Sequence, residues 1–181
     1  MQLDSSYYNA FSTALVILRI IVGLTLAAHG YQKFFLGGRI PGTSRWFESI
    51  GMKPGKLHAL MAASTEIGSG LLLAFGFLTP LACAGMIGVM IVAGWTANRS
   101  NGFFSMNHGY EYNLVLATIG LAVATLGAGR FSIDHAIGDP EAFSGWWGFW
   151  IAIVAGIGGS IAHLVVFYRP TPKHDTAAAE A

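Results

Sequence analysis

Residues 11–31, FSTALVILRIIVGLTLAAHGY, decide the fold. The run is as long as the roughly 20 helical residues needed to cross the hydrocarbon of a bilayer. It carries a single charge, Arg19. Four more apolar runs follow, at 57–78, 80–97, 112–128 and 147–167. Five transmembrane helices in an all-α integral membrane protein are therefore expected, forming one domain over 1–168. The composition agrees: 54% of residues are hydrophobic, 10% are charged, 24 are glycine, and the mean hydropathy is +0.55. Soluble domains carry roughly 25% charged residues. Excess glycine suits helices packed closely in lipid. A net charge of +1 gives no electrostatic reason to expect nucleic acid, so the first partner is the bilayer itself.

Local signals divide the chain further. Thr79 and Pro80 read as a helix cap followed by a proline at the first helical position, which makes the second and third spans a tight antiparallel hairpin. The stretch Lys33 to Lys56 is polar, with Trp46, Phe47 and Ile50 placed to form a short amphipathic helix along the lipid interface. The tail over 169–181, with Pro170 and Pro172, is expected to be disordered. The first run has no basic leader and no convincing small-residue cleavage pattern, so it is expected to remain as a helix. Cytoplasmic loops collect lysine and arginine. Lys33, Arg39, Arg45, Lys53, Lys56, Arg99, Arg169 and Lys173 would share one side, with Arg130 alone on the other. The N-terminus is then outside and the C-terminus cytoplasmic. Ala84 and Gly88, Gly120 and Ala124, and Ala155 and Gly159 are small residues four apart, the spacing of helix contacts; a homo-oligomer is left open.

Ionisable groups inside hydrocarbon are the natural candidates for function. Arg19 and Glu66 fall at similar depths on the first two spans and are expected to form an ion pair. The same pair is also placed to border a polar cavity in which Glu66 binds or relays a proton. His29, His58, His108 and His163 gather near one end of different helices, together with Lys33 and Glu111. Interfacial polar residues, haem or metal ligation, and hydrogen bonding to a quinone are the three uses of such a cluster. No spacing such as H-E-x-x-H supports a metal. Trp95, Phe103 and Phe104 could wall a quinone pocket. Arg130 and Asp134, four residues apart, suit a helix-end pair, and Glu111 suits a helix N-terminus. The single cysteine, Cys83, excludes an intramolecular disulfide relay. Neither a dinucleotide-binding glycine fingerprint nor iron–sulfur cysteines occur, so no intrinsic cofactor is evident.

Leu18-Arg19-Ile20 leading to His29-Gly30-Tyr31-Gln32-Lys33-Phe34 carries a resemblance, as do Glu66 followed by Gly70 through Pro80, and Gly127 through Asp134. In their order and spacing, over about residues 15–137, these resemble the DoxX family of small bacterial membrane proteins. The resemblance implies a four-helix transmembrane bundle in the bacterial plasma membrane, to which this chain adds a fifth, C-terminal helix. It also implies kinship with the DoxD subunit of thiosulfate:quinone oxidoreductase and with membrane complexes handling thiol and oxidative stress. Arg19, His29, Lys33, Glu66, Glu111 and Arg130 occupy the family motif positions.

The leading expectation is a membrane subunit of a quinone-linked oxidoreductase complex. Glu66 moves the proton, Arg19 holds its carboxylate, and His29, Lys33, His108 and Glu111 surround the quinone. A soluble redox partner would supply electrons. The alternatives are a non-catalytic scaffold recruiting cytoplasmic partners through the basic loop, and a small proton-coupled transporter.

Overall fold

A computed structural model describes residues 5–138 and 144–170. The elements are α1 (Ser5–Phe35), α2 (Arg39–Ser49), α3 (Gly55–Phe75), α4 (Thr79–Asn101), α5 (Glu111–Leu126), the single-turn α6 (Ile133–Ala136) and α7 (Gly145–Phe167). Four of them, α1, α3, α4 and α7, are long and apolar enough to span a membrane. The span expected over 112–128 is α5, whose 16 residues reach only about 24 Å at 1.5 Å per residue. In contrast, α1 begins six residues before its apolar run and ends four after it, because polar flanks carry a helix beyond the hydrocarbon as readily as apolar ones. No strand forms among the described residues; Met52 and Tyr168 make an isolated antiparallel bridge.

The tightest contact is that of α1 with α3. These two helices run antiparallel with their backbones nearly touching. A Cβ on Gly23 would collide with the Gly70 carbonyl and the Ala74 amide, and one on Gly70 with the Gly23 carbonyl and the Ala27 amide. Gly30 meets Ala63 and Ile67 in the same way. Such approach is possible only where side chains are absent, and dispersion contact there replaces the hydrophobic drive that lipid cannot supply. Of the small pairs singled out from sequence, Gly120 seats against Met86 and Ile87, and the Ala84 carbonyl lies 3.0 Å from where a Gly156 Cβ would be. Gly159 makes no comparable helix contact: a Cβ there would have no atom within 4 Å among the described residues.

Helix ends are organised by long-range partners. Gly76 closes α3 in the left-handed conformation (φ 64°), where L side chains are strained. Leu78, not Thr79, flanks α4, and Thr79 and Pro80 are its first two residues. Its cap comes from a distant loop: Asp134 accepts from the Leu78 amide (2.8 Å), the Thr79 amide (3.0 Å) and the Thr79 hydroxyl (2.8 Å). Asp134 therefore does not pair with Arg130, whose guanidinium donates to the Asn9 side chain at 2.9 Å. A carboxylate with three donors on one helix start has no reason to seek a solvated arginine.

The opposite end of the bundle is closed by α2. Phe47 on α2, Met52 and Ala59 form a buried cluster with Leu164, Phe167 and Tyr168 of the last helix and its end. Arg169, placed in the tail by sequence, donates its amide to the Gly51 carbonyl at 2.8 Å and so fixes the end of α7 to the α2–α3 turn. The rest of the tail expected to be disordered, 171–181, lies outside the described residues. The short interfacial helix expected around Trp46, Phe47 and Ile50 is α2.

Candidate functional site

Lys33 and Glu66 form the polar centre of the bundle. Side chains on a helix tilt toward its N-terminus, so on antiparallel α1 and α3 a residue near each helix's own C-terminal side reaches back toward the other. Lys33 Nζ lies 2.8 Å from Glu66 Oε1 and 2.6 Å from Oε2. It is also 3.4 Å from the His29 carbonyl. The Glu66 side chain is 6% exposed and that of Lys33 24%. Beside the pair, Tyr112 Oη sits 3.3 Å from His29 Nε2, so α5 adds a hydroxyl and α1 an imidazole to the same corner.

Glu66 is therefore held by Lys33 and not by Arg19. The expected pairing counted depth from the ends of the apolar runs, whereas the glycine contacts set the true register. Gly23 faces Gly70 and Ala74, which places Arg19 beside Gly76, ten residues or about 15 Å along α3 from Glu66. There Arg19 is fully buried. Its Nη2 donates to the Phe131 carbonyl at 2.6 Å, and Asp134 is its acidic neighbour. Its Nε and Nη1 have no protein acceptor. Arg19 belongs to the α6 end of the molecule, where it holds the loop that caps α4.

A cavity of about 480 Å³ opens beside the Lys33–Glu66 pair, between α3, α4 and α7, and α2 closes one end of it. Its walls are apolar over most of their length, with four ionisable groups on them: Lys33, Glu66, His58 and His163. His58 is 2% exposed, and neither ring nitrogen has a hydrogen-bond partner among the described residues. Its ring is edge-on to those of His163 and Phe167, each with centroids 5.0 Å away. A buried imidazole must carry at least one N–H, and leaving a buried donor unpaired costs about 1–3 kcal/mol. His58 therefore presents unsatisfied hydrogen-bonding capacity beside a roomy apolar space.

The remaining candidates fall elsewhere. His108 lies outside this cavity, and its left-handed backbone carbonyl (φ 60°) accepts from Asn98 and Asn101. Glu111 stands at the start of α5 and accepts from the Ser105 amide (2.9 Å) and hydroxyl (3.0 Å), so it folds the loop before α5. His29 reaches the site only through Tyr112 and its own carbonyl. Trp95, Phe103 and Phe104 do not wall the cavity: the Arg99 guanidinium stacks 4.0 Å over Trp95, and Phe103 packs on Phe104 and Tyr110. Trp46 and Phe47 of α2 line it instead. Among the described residues, no three His, Cys, Asp or Glu side chains converge as a metal site would require.

With this geometry in view, the chain can be compared with known proteins. The DoxX family model matches residues 14–99, the segment from α1 through α4 that contains Arg19, Lys33 and Glu66. Over that segment the chain is similar to the DoxX family of membrane proteins. It is similar to an uncharacterized membrane protein of Mycobacterium tuberculosis, 27% identical over 134 residues, covering 68% of this chain and 81% of that one. No solved structure matches. Within the DoxX match lie both walls of the Lys33–Glu66 contact; α7, which supplies His163 and the third wall of the cavity, lies beyond it.

Proposed function

We propose that this protein is the quinone-binding membrane subunit of an oxidoreductase complex that draws electrons from a soluble, thiol- or sulfur-oxidising partner. The observation that carries this reading is the cavity: apolar, open along its side, and furnished with a buried carboxylate–ammonium pair and an unsatisfied buried histidine. Ligand pockets combine mainly apolar walls with a few placed polar groups, and a quinone ring presents two carbonyl acceptors to an otherwise apolar body. When bound, a quinone takes up two electrons from the partner's thiols and two protons. The chain's own residues serve the proton side. Glu66 holds a proton-accepting carboxylate in low-dielectric surroundings, and Lys33 keeps it placed. His58 offers a donor or acceptor across the cavity.

By the same reading the α2 end faces the cytoplasm, since eight of the ten lysines and arginines fall there by sequence. The N-terminus is then outside, and the membrane is the bacterial plasma membrane. A second reading, a scaffold for cytoplasmic proteins, is favoured by one observation: Arg39, Arg45, Lys53 and Lys56 are all exposed on the α2 end.

The deciding experiment is quinone binding to purified protein in detergent, comparing wild type with Glu66→Gln and Lys33→Met variants shown to be folded and monodisperse. Saturable binding that weakens in Glu66→Gln is the expected result. No binding by folded wild type overturns the quinone reading. Loss of a co-purifying partner on neutralising Arg45, Lys53 and Lys56, with Glu66→Gln intact, would establish the scaffold.

A further inference from the structure

Ala155 and Gly159 are small residues four apart on α7. Both line the cavity and stand exposed to it. Ala155 lies within Ala152–Gly158, where α7 widens into a π-helix; such insertions rotate a helix face and occur often at functional sites. The facing wall on α4 is equally bare: Ala84, Gly85 and Gly88 line it. Together these residues leave a smooth track beside the contact that Gly156 of α7 makes with Ala84 and Ile87 of α4.

The contacts of neighbouring helices fix where the polar groups stand along this track. Gly85 faces Ser69 and Thr65 of α3, and Gly156 faces Ala84 and Ile87. Counting from these contacts, Glu66 stands near the level of Gly88, about midway. His58 and His163 stand about two turns further toward α2. Above Glu66, toward Leu81, the lining is apolar. From Leu81 to Thr96, both on the wall, α4 rises about 22 Å. The groove therefore has a polar half and an apolar half, which is the division of a ring bearing a long hydrocarbon tail.

We propose that the site takes a lipoquinone in one orientation. The ring lies between the Lys33–Glu66 pair and His58, and the isoprenoid tail runs along the Ala84–Gly88 and Ala155 walls to leave into lipid past Leu81. This rests on the quinone reading above and adds His58 as a ring ligand, the direction of the tail, and a requirement for it. The tail contributes by dispersion contact with the groove walls, since lipid supplies no hydrophobic drive, and His58 by direction.

The test uses the full chain in lipid nanodiscs and two probes: a naphthoquinone with a long isoprenoid tail, and the same ring without it. Binding is read by quenching of tryptophan fluorescence, since Trp46 lines the groove. Wild type should bind the tailed probe about tenfold or more tightly than the bare ring. Ala155→Leu, which fills the tail track, should weaken the tailed probe about tenfold and leave the ring unchanged; Leu81→Phe, which narrows the exit on the α4 wall, should shift the tailed probe in the same direction. His58→Leu, which keeps the bulk and removes both nitrogens, should weaken both probes. If wild type binds the tailed probe saturably and neither wall variant nor His58→Leu alters it, the orientation is wrong while the quinone reading stands. If folded wild type binds neither probe, the quinone reading itself falls. Displacement of bound probe by phospholipid alone would assign the groove to a structural lipid and overturn the inference.

Discussion

Lys33 on α1 and Glu66 on α3 meet across an antiparallel helix pair, the ammonium within 2.6 and 2.8 Å of the two carboxylate oxygens. Each is tolerated at this depth because the other is present. Removing one partner leaves a charge in low-dielectric surroundings. Lys33→Met should therefore cost about 3 kcal/mol, the low end of the range for breaking a buried pair, since Lys33 retains some exposure. The double variant Lys33→Met/Glu66→Gln should recover most of that loss. Unfolding of the four proteins of this cycle in detergent gives the coupling directly, and additive single losses would show that the contact is not energetically coupled.

Asp134 joins two segments that are 55 residues apart in sequence. Its carboxylate accepts from both the Thr79 amide and the Thr79 hydroxyl, and so replaces the cap that α4 lacks. Asp134→Ala should cost about 1–2 kcal/mol, the range for losing a helix cap. Asp134→Asn should cost less, because an amide oxygen still accepts. Thermal unfolding of the two variants side by side checks this, and equal losses would mean the contact contributes through charge toward Arg19 and not through capping.

What was legible in the sequence divides by the range of the interaction. The helices and the amphipathic α2 follow from local hydropathy, which each segment carries within itself. Which charge meets Glu66 does not, because that depends on axial register, and a slip of one turn is about 5.4 Å. The register was nonetheless written in the chain: Gly23 and Ala27 on α1, and Gly70 and Ala74 on α3, are small residues four apart, and aligning those faces places Lys33 by Glu66 and Arg19 by Gly76. The cap of α4 by Asp134 and the facing of His58 and His163 carry no local signal, since each joins elements distant in sequence. The pair Ala155 and Gly159 shows the converse: the same spacing that makes a helix contact elsewhere here leaves a groove wall bare.

The α1–α3 register rests on a backbone approach that a single methyl group would disturb. Gly70→Ala adds one methyl group where the Gly23 carbonyl and the Ala27 amide already stand, so the backbones of α1 and α3 must part. Overpacking of this kind costs about 1–3 kcal/mol, and by moving α1 it should also lengthen the Lys33–Glu66 contact. Gly159→Ala, with no atom near its new methyl group, should change stability by less than about 0.5 kcal/mol. Comparable losses in both would contradict the close α1–α3 approach.

Orientation in the membrane decides which compartment the α2 end faces, and it can be read with single cysteines. Cys83 is fully buried, so Cys83→Ala gives a background without thiols at little structural cost. Lys53 and Ile137 are both exposed, at opposite ends of the bundle. In the proposed orientation the lysine- and arginine-rich α2 end faces the cytoplasm. In intact cells stripped of the outer membrane, a membrane-impermeant maleimide should therefore label Ile137→Cys at once. Lys53→Cys should be labelled only after the inner membrane is breached. The reverse pattern would place the basic α2 end outside, and a cytoplasmic electron donor docking on that end would then be excluded.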